Sequence, residues 1–295
     1  MGREDFYKQI ENSEEFKILS KIANEADATV DDALEQVVSL SMTALALHGP
    51  DSSQGAPYTD YKTSLALLEL AQRLEPAKHA KLVEFVSKLQ KRTATDSAGN
   101  PLKTQGSTLW TDLPSLGYTE LETWVEYGGN PRNNPMDPKM DPEHQKRWAK
   151  LNAFIAQLSQ AADIHYEPPG APLNIHPMDK SLHAAWTMQK AFEDGEHPPE
   201  TLIHTAVIPA ACFWFIYGSD RLWANVQNGR KYDKNYGAGQ GSKYSEKDWA
   251  GFERERWDVW EQGLQAAKGA CTATENVEVK GLIEDALAQM KRVMT

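Results

Sequence analysis

The sequence predicts an all-α protein. Apolar residues recur at three- and four-residue spacing through most of the chain, which is the signature of amphipathic helices. No segment keeps the strict alternation of a half-buried strand. Nine tryptophans (Trp110, Trp124, Trp148, Trp186, Trp214, Trp223, Trp249, Trp257 and Trp260) fall mostly inside the helix-patterned segments. Each indole can bury ~200 Å² and needs a partner for its N–H. Such a set builds one broad helical core or lines one deep apolar pocket. An irregular array of about ten helices, covering ~60% of the residues, accounts for the pattern and exceeds the ordinary helical share.

The first helix is expected over residues 4–26, where Phe6, Ile10, Phe16, Leu19 and Ile22 form a stripe. Thr29 reads as the N-cap of the second, with Asp32 three residues on, as in a capping box. Leu34, Val37, Val38, Leu40, Met42 and Leu45 carry its apolar face, and Gly49-Pro50 ends it. A Ser/Gly/Pro loop at 51–57 leads to a third helix through Leu65, Leu67, Leu68, Leu70 and Leu74. Pro76 opens a fourth at its first position, where a missing N–H costs little. A polar loop at 93–106 and a short helix near 119–127 follow.

Residues 128–142 contain four prolines and read as a connection or as an ordered lid. A long helix is expected at 143–162, then a second proline-rich loop at 166–177. Helices near 179–193 and 199–227 come next, the latter bent about one turn before Pro209. A flexible loop rich in glycine and tyrosine at 229–245 precedes helices at 246–267 and 276–293. Residues 1–93 form an N-terminal helical block and 94–295 a Trp-rich helical region, expected to pack together as one domain.

Composition excludes several functions. The net charge of −11 repels phosphate backbones, which argues against nucleic-acid binding. The longest uncharged apolar run, residues 205–219, is too short to span a bilayer, and the N-terminus lacks a signal-peptide pattern. Two cysteines do not make a disulfide framework, and Cys212, in the most apolar stretch, reads as an inert buried thiol. These features predict a cytoplasmic soluble protein with no cofactor and no membrane partner. They leave the oligomeric state open.

No histidine or cysteine pair has metal-ligand spacing, and no phosphate-binding glycine loop follows a strand, so no metal site is expected. Asp31-Asp32-Ala33-Leu34-Glu35 matches the acidic DDxxE pattern that holds Mg²⁺ in helical terpene synthases. The same acids in a first turn also stabilise the helix dipole, and that reading is preferred. An exposed Asp31 would remove the metal reading. His183, one turn from Trp186, and His204 on the next segment are the candidates for acid–base work on an apolar substrate. Trp148, Leu151, Ile155 and Leu158 share a helix face that Asn152 adjoins. A buried amide there needs a partner, for which the backbone near residues 110–114 is the expected source.

Four segments carry a resemblance. They are Leu74-Glu75-Pro76-Ala77-Lys78-His79-Ala80-Lys81-Leu82-Val83, then Leu109-Trp110-Thr111-Asp112-Leu113-Pro114-Ser115-Leu116-Gly117 with Trp124 downstream. Trp148-Ala149-Lys150-Leu151-Asn152-Ala153-Phe154-Ile155-Ala156-Gln157-Leu158 and Gly251-Phe252-Glu253-Arg254-Glu255-Arg256-Trp257-Asp258-Val259-Trp260 complete the set. In this order they resemble the fungal domain of unknown function 3632 (DUF3632) family of helical proteins. One departure is Leu121-Glu122-Thr123-Trp124, where that family tends to carry Arg-Glu before its tryptophan. The resemblance implies a helical fold and a fungal origin, and it implies no activity.

The resulting expectation is a helical protein that binds an apolar small molecule or a protein partner. Trp110, Trp148, Asn152, Trp186, Trp214 and Trp257 are the candidate binding residues. The alternative is a cofactor-free cyclase, isomerase or hydrolase of secondary metabolism.

Overall fold

A computed structural model describes residues 3–49, 52, 54–128, 133–167, 174–272 and 276–295. Parts of the loop at 51–57 and of both proline-rich connections lie outside the described residues. The fold is mainly α: 66% of the described residues are helical, and among them there is one two-stranded sheet. In chain order the helices are α1 (Arg3–Asn12), α2 (Glu14–Asn24), α3 (Val30–His48), α4 (Ala56–Arg73), α5 (Ala80–Gln90) and α6 (Pro114–Gly128). They continue as α7 (Pro142–Ala161), α8 (Ser181–Phe192), α9 (Val207–Gln227), α10 (Arg254–Ala270) and α11 (Val277–Met294). The sheet pairs β1 (Lys103–Thr104) with β2 (Ser107–Thr108), antiparallel, inside the segment expected to be loop throughout.

Local chemistry explains where boundaries differ from expectation. The first amphipathic stretch is two helices, because Ser13 leaves the helix to cap α2 by accepting from the Phe16 N–H at 3.2 Å. Pro76 opens a 3₁₀ turn (Pro76–Lys78), and α5 begins only at Ala80. Pro209 bends nothing, because α9 starts at Val207 and places it in the first turn, where no N–H is needed. Thr29 caps α3 as expected, accepting from the Asp32 N–H at 3.1 Å while its hydroxyl donates to Asp32 Oδ2 at 2.6 Å.

The chain divides into two compact units, residues 1–126 and 127–295. In the first, α4 packs on α2 and α3, α5 packs on α3, and Leu19, Leu34, Val37, Leu67, Leu82 and Phe85 fill the centre. In the second, α9 is the central helix and is covered by α7, α8, α10 and α11. Small residues let α7 and α9 approach. A Cβ on Gly218 would lie 3.5 Å from the Ala156 carbonyl, and Ala153, Ala210 and Ala211 are fully buried. Around that contact Trp148, Phe154, Trp214, Phe215, Trp257 and Trp260 are all inaccessible to solvent. Seven of the nine tryptophans are buried, and only Trp186 and Trp223 are partly exposed. No described helix is long and apolar enough to cross a membrane.

Candidate functional site

The tryptophans are placed by polar partners as much as by packing. Asn152, fully buried on α7, donates to the Trp148 carbonyl at 2.9 Å. Its Oδ1 accepts from Trp214 Nε1 at 2.9 Å and from the Thr187 hydroxyl at 3.1 Å. Side chains of α8 and α9 therefore supply partners that the sequence pattern sought in a loop backbone. Trp186 Nε1 donates to the Tyr236 carbonyl at 2.9 Å, and its ring meets His183 edge-on at 4.8 Å. Trp257 meets Phe215 edge-on at 5.4 Å and lies tilted against Trp223 and Trp260. Trp110 belongs to the first unit, where it is buried with a left-handed backbone (φ 65°) and no partner for its N–H. The proposed binding set is thus shared between two separate units. His183 is buried, whereas His204 is exposed in the turn before α9.

The segment Gly251–Trp260 owes its character to one buried ion pair. Arg256 and Glu193, both fully buried, bond through Nε to Oε1 at 2.7 Å and Nη2 to Oε2 at 3.1 Å. Trp260 Nε1 also donates to Glu193 Oε1, at 2.7 Å, and the Gly241 N–H donates to Oε2 at 2.8 Å. The remaining guanidinium N–H groups donate to the carbonyls of Ala238, Gly239 and Gly251, each at 2.7 Å. Every oxygen and nitrogen of the pair has a partner, the condition under which a buried pair is tolerated. The network ties down the 229–245 loop that composition marked as flexible. Arg256 was not singled out for this role, although its place beside Trp257 in the apolar face of α10 was a visible signal.

The acidic motif on α3 is a surface feature. Asp31 is 74% exposed and paired with Lys88 at 2.7 Å, Glu35 pairs with Arg92, and Asp32 serves the cap. These carboxylates face solvent, which removes the terpene-synthase reading. Cys212 is buried on α9, and desolvation raises its thiol well above the ordinary range.

The first unit carries three adjoining grooves that share Tyr58. None of the three is lined by tryptophan. The largest, about 540 Å³, is walled by Leu40, Ala44, Leu47 and Tyr58, with Thr43, His48, Gln54, Thr59, Lys62 and Glu15 as its polar members. Tyr58 and Tyr61 stack at 6.5 Å, and the Lys62 ammonium lies 5.3 Å from the Tyr58 ring. Glu15 is 1% exposed. Its Oε1 meets Lys62 Nζ at 2.8 Å, and its Oε2 has no donor. Glu15 reaches this floor because it lies four and seven residues before Leu19 and Ile22, on the buried stripe of α2. An acid at a stripe position was the signal that composition alone obscured.

The sequence profile of the family described as Protein of unknown function (DUF3632) matches residues 65–264, more than two thirds of the chain. The chain belongs to the DUF3632 family. No curated protein and no solved structure matches it. The DUF3632 match spans α7 to most of α10, and so takes in both the Asn152 network and the Glu193–Arg256 pair. It begins within α4, so Glu15, Tyr58 and Lys62 precede it.

Proposed function

We propose that this DUF3632 protein binds a small, largely apolar molecule carrying one amine or hydroxyl group, and that the Tyr58 groove is where it binds. The observation that carries the reading is Glu15 Oε2, a buried carboxylate oxygen without a donor in the lining of an open groove. Leaving such a group unsatisfied costs about 1–3 kcal/mol. A ligand N–H or O–H would recover that energy, while Leu40, Leu47 and the Tyr58 ring would cover its apolar body. The volume of about 540 Å³ lies in the ordinary range of small-molecule sites.

The test is a thermal-shift screen with apolar amines and alcohols beside their methylated isosteres, followed by calorimetry on hits. Donor-bearing compounds should stabilise the protein, their isosteres should not, and Glu15→Gln should weaken binding by about tenfold. Equal affinity for donors and isosteres, or for Glu15→Gln and the parent, would refute the assignment. Retention of a protein partner with no small molecule bound would favour a docking surface instead.

A further inference from the structure

Large apolar side chains left at the surface of the first unit gather beside a second groove. Tyr58 on α4 is 45% exposed and Tyr118 on α6 is 63% exposed. Leu121, exposed as well, extends this face one turn along α6. The groove between α4 and α6 has a volume of about 450 Å³. Tyr58 and Tyr61 from α4, Tyr118 from α6 and Gln105 from the β1–β2 turn line it, with Pro57 and Pro114. Tyr58 is the one residue it shares with the groove that holds Glu15.

The lining limits what fits. The Tyr58 and Tyr61 rings lie within 26° of parallel, with centroids 6.5 Å apart. Grooves walled by such rings take proline-rich segments, whose pyrrolidine rings pack on the aromatic faces. A polyproline II segment has no internal hydrogen bonds, so its carbonyls stay free to accept. The Tyr58 and Tyr61 phenols and the Gln105 amide are the donors the lining offers. Gln105 and Leu113, which flank the groove, hold left-handed backbones (φ 50° and 47°), a strain that clusters where proteins grip ligands.

Charge selects further. The lining residues themselves carry none, but two acids adjoin them. Glu122, exposed on α6, accepts from the Tyr118 hydroxyl, and its charge assists burial in raising the Tyr61 phenol. Asp60 accepts from the hydroxyl and N–H of Ser115 in the lining. The cation beside Tyr58, Lys62, is offset by Glu15. The edge of the groove is therefore negative, and a cationic side chain complements it. We infer that this groove docks a proline-rich peptide of a partner protein, with an arginine or lysine next to the prolines meeting Glu122.

Fluorescence anisotropy of a labelled, arginine-led oligoproline titrated with the intact chain tests this. Saturable binding is expected. An arginine-led oligoalanine, which favours helix, should bind at least about tenfold more weakly. A glutamate-led oligoproline should bind several-fold more weakly, by a margin that shrinks at high salt. Tyr118→Ala should weaken binding about tenfold, and because the side chain is exposed its thermal melt should match the parent's. Glu15→Gln should leave peptide binding unchanged, which separates this surface from the small-molecule site. No saturable binding, or Tyr118→Ala without effect, would overturn the inference. Equal or tighter binding of the oligoalanine would overturn it too, in favour of a helical partner.

Discussion

Asp60 makes the stability of the first unit depend on pH. The residue lies on α4, 3% exposed, and its Oδ2 has no donor. Burial pushes its carboxyl from 3.8 up to about 6, against the opposing pull of the Ser115 hydroxyl and N–H. The folded state therefore holds this proton more tightly than the unfolded chain. The stability lent by the group is complete below about pH 4 and is lost as pH rises through 6. A displacement of about two pH units corresponds to about 3 kcal/mol, most of which falls between pH 4 and pH 8.

Asp60→Asn removes the titration. Its amide leaves an N–H without a partner, at a cost that is the same at both pH values and cancels in the comparison. Relative to the parent, the variant should gain about 2–3 kcal/mol between pH 4 and pH 8. Native-state hydrogen exchange of the α4 amides measures this, and a carbon-13 titration of the Asp60 carboxyl supplies the folded value directly. A midpoint near 4, or a difference that does not change with pH, would refute the reasoning.

Two further outcomes follow from the second unit. Glu193→Ala strands the Arg256 guanidinium and the Trp260 N–H, and should cost about 3–5 kcal/mol in urea unfolding. The same variant should open the 237–245 segment to protease, whereas continued resistance would mean that the loop is held by other contacts. Gly263→Ala places a Cβ 2.5 Å from the Phe192 ring, so it should destabilise the fold by about 1–3 kcal/mol. Phe192→Leu in the same chain should recover part of that loss in thermal melts, and no recovery would place the strain elsewhere.

Helix-forming pattern was legible wherever neighbours along the chain decide it. The stripes of α3 and α7, the Thr29 cap and the stop at Gly49 follow from spacing and capping alone. Breaks were harder to read. Ser13 divides α1 from α2 because one hydroxyl captures one N–H, a choice that an uninterrupted apolar stripe hides. The start of α10 at Arg254 was missed because the segment before it is tied to the Arg230–Tyr232 backbone, far away in sequence.

The sequence by itself determined the helical class, the α3 cap and the burial of most indoles, because these depend on local spacing and hydrophobicity. Only tertiary structure decided which polar groups meet. Asn152 found Trp214, Glu193 found Arg256 across 63 residues, and Glu15 came to lie in a groove beside Lys62. A hydrogen bond is directional and short, so its partner is chosen by how helices cross. That crossing is the part of the fold that a one-dimensional pattern does not encode.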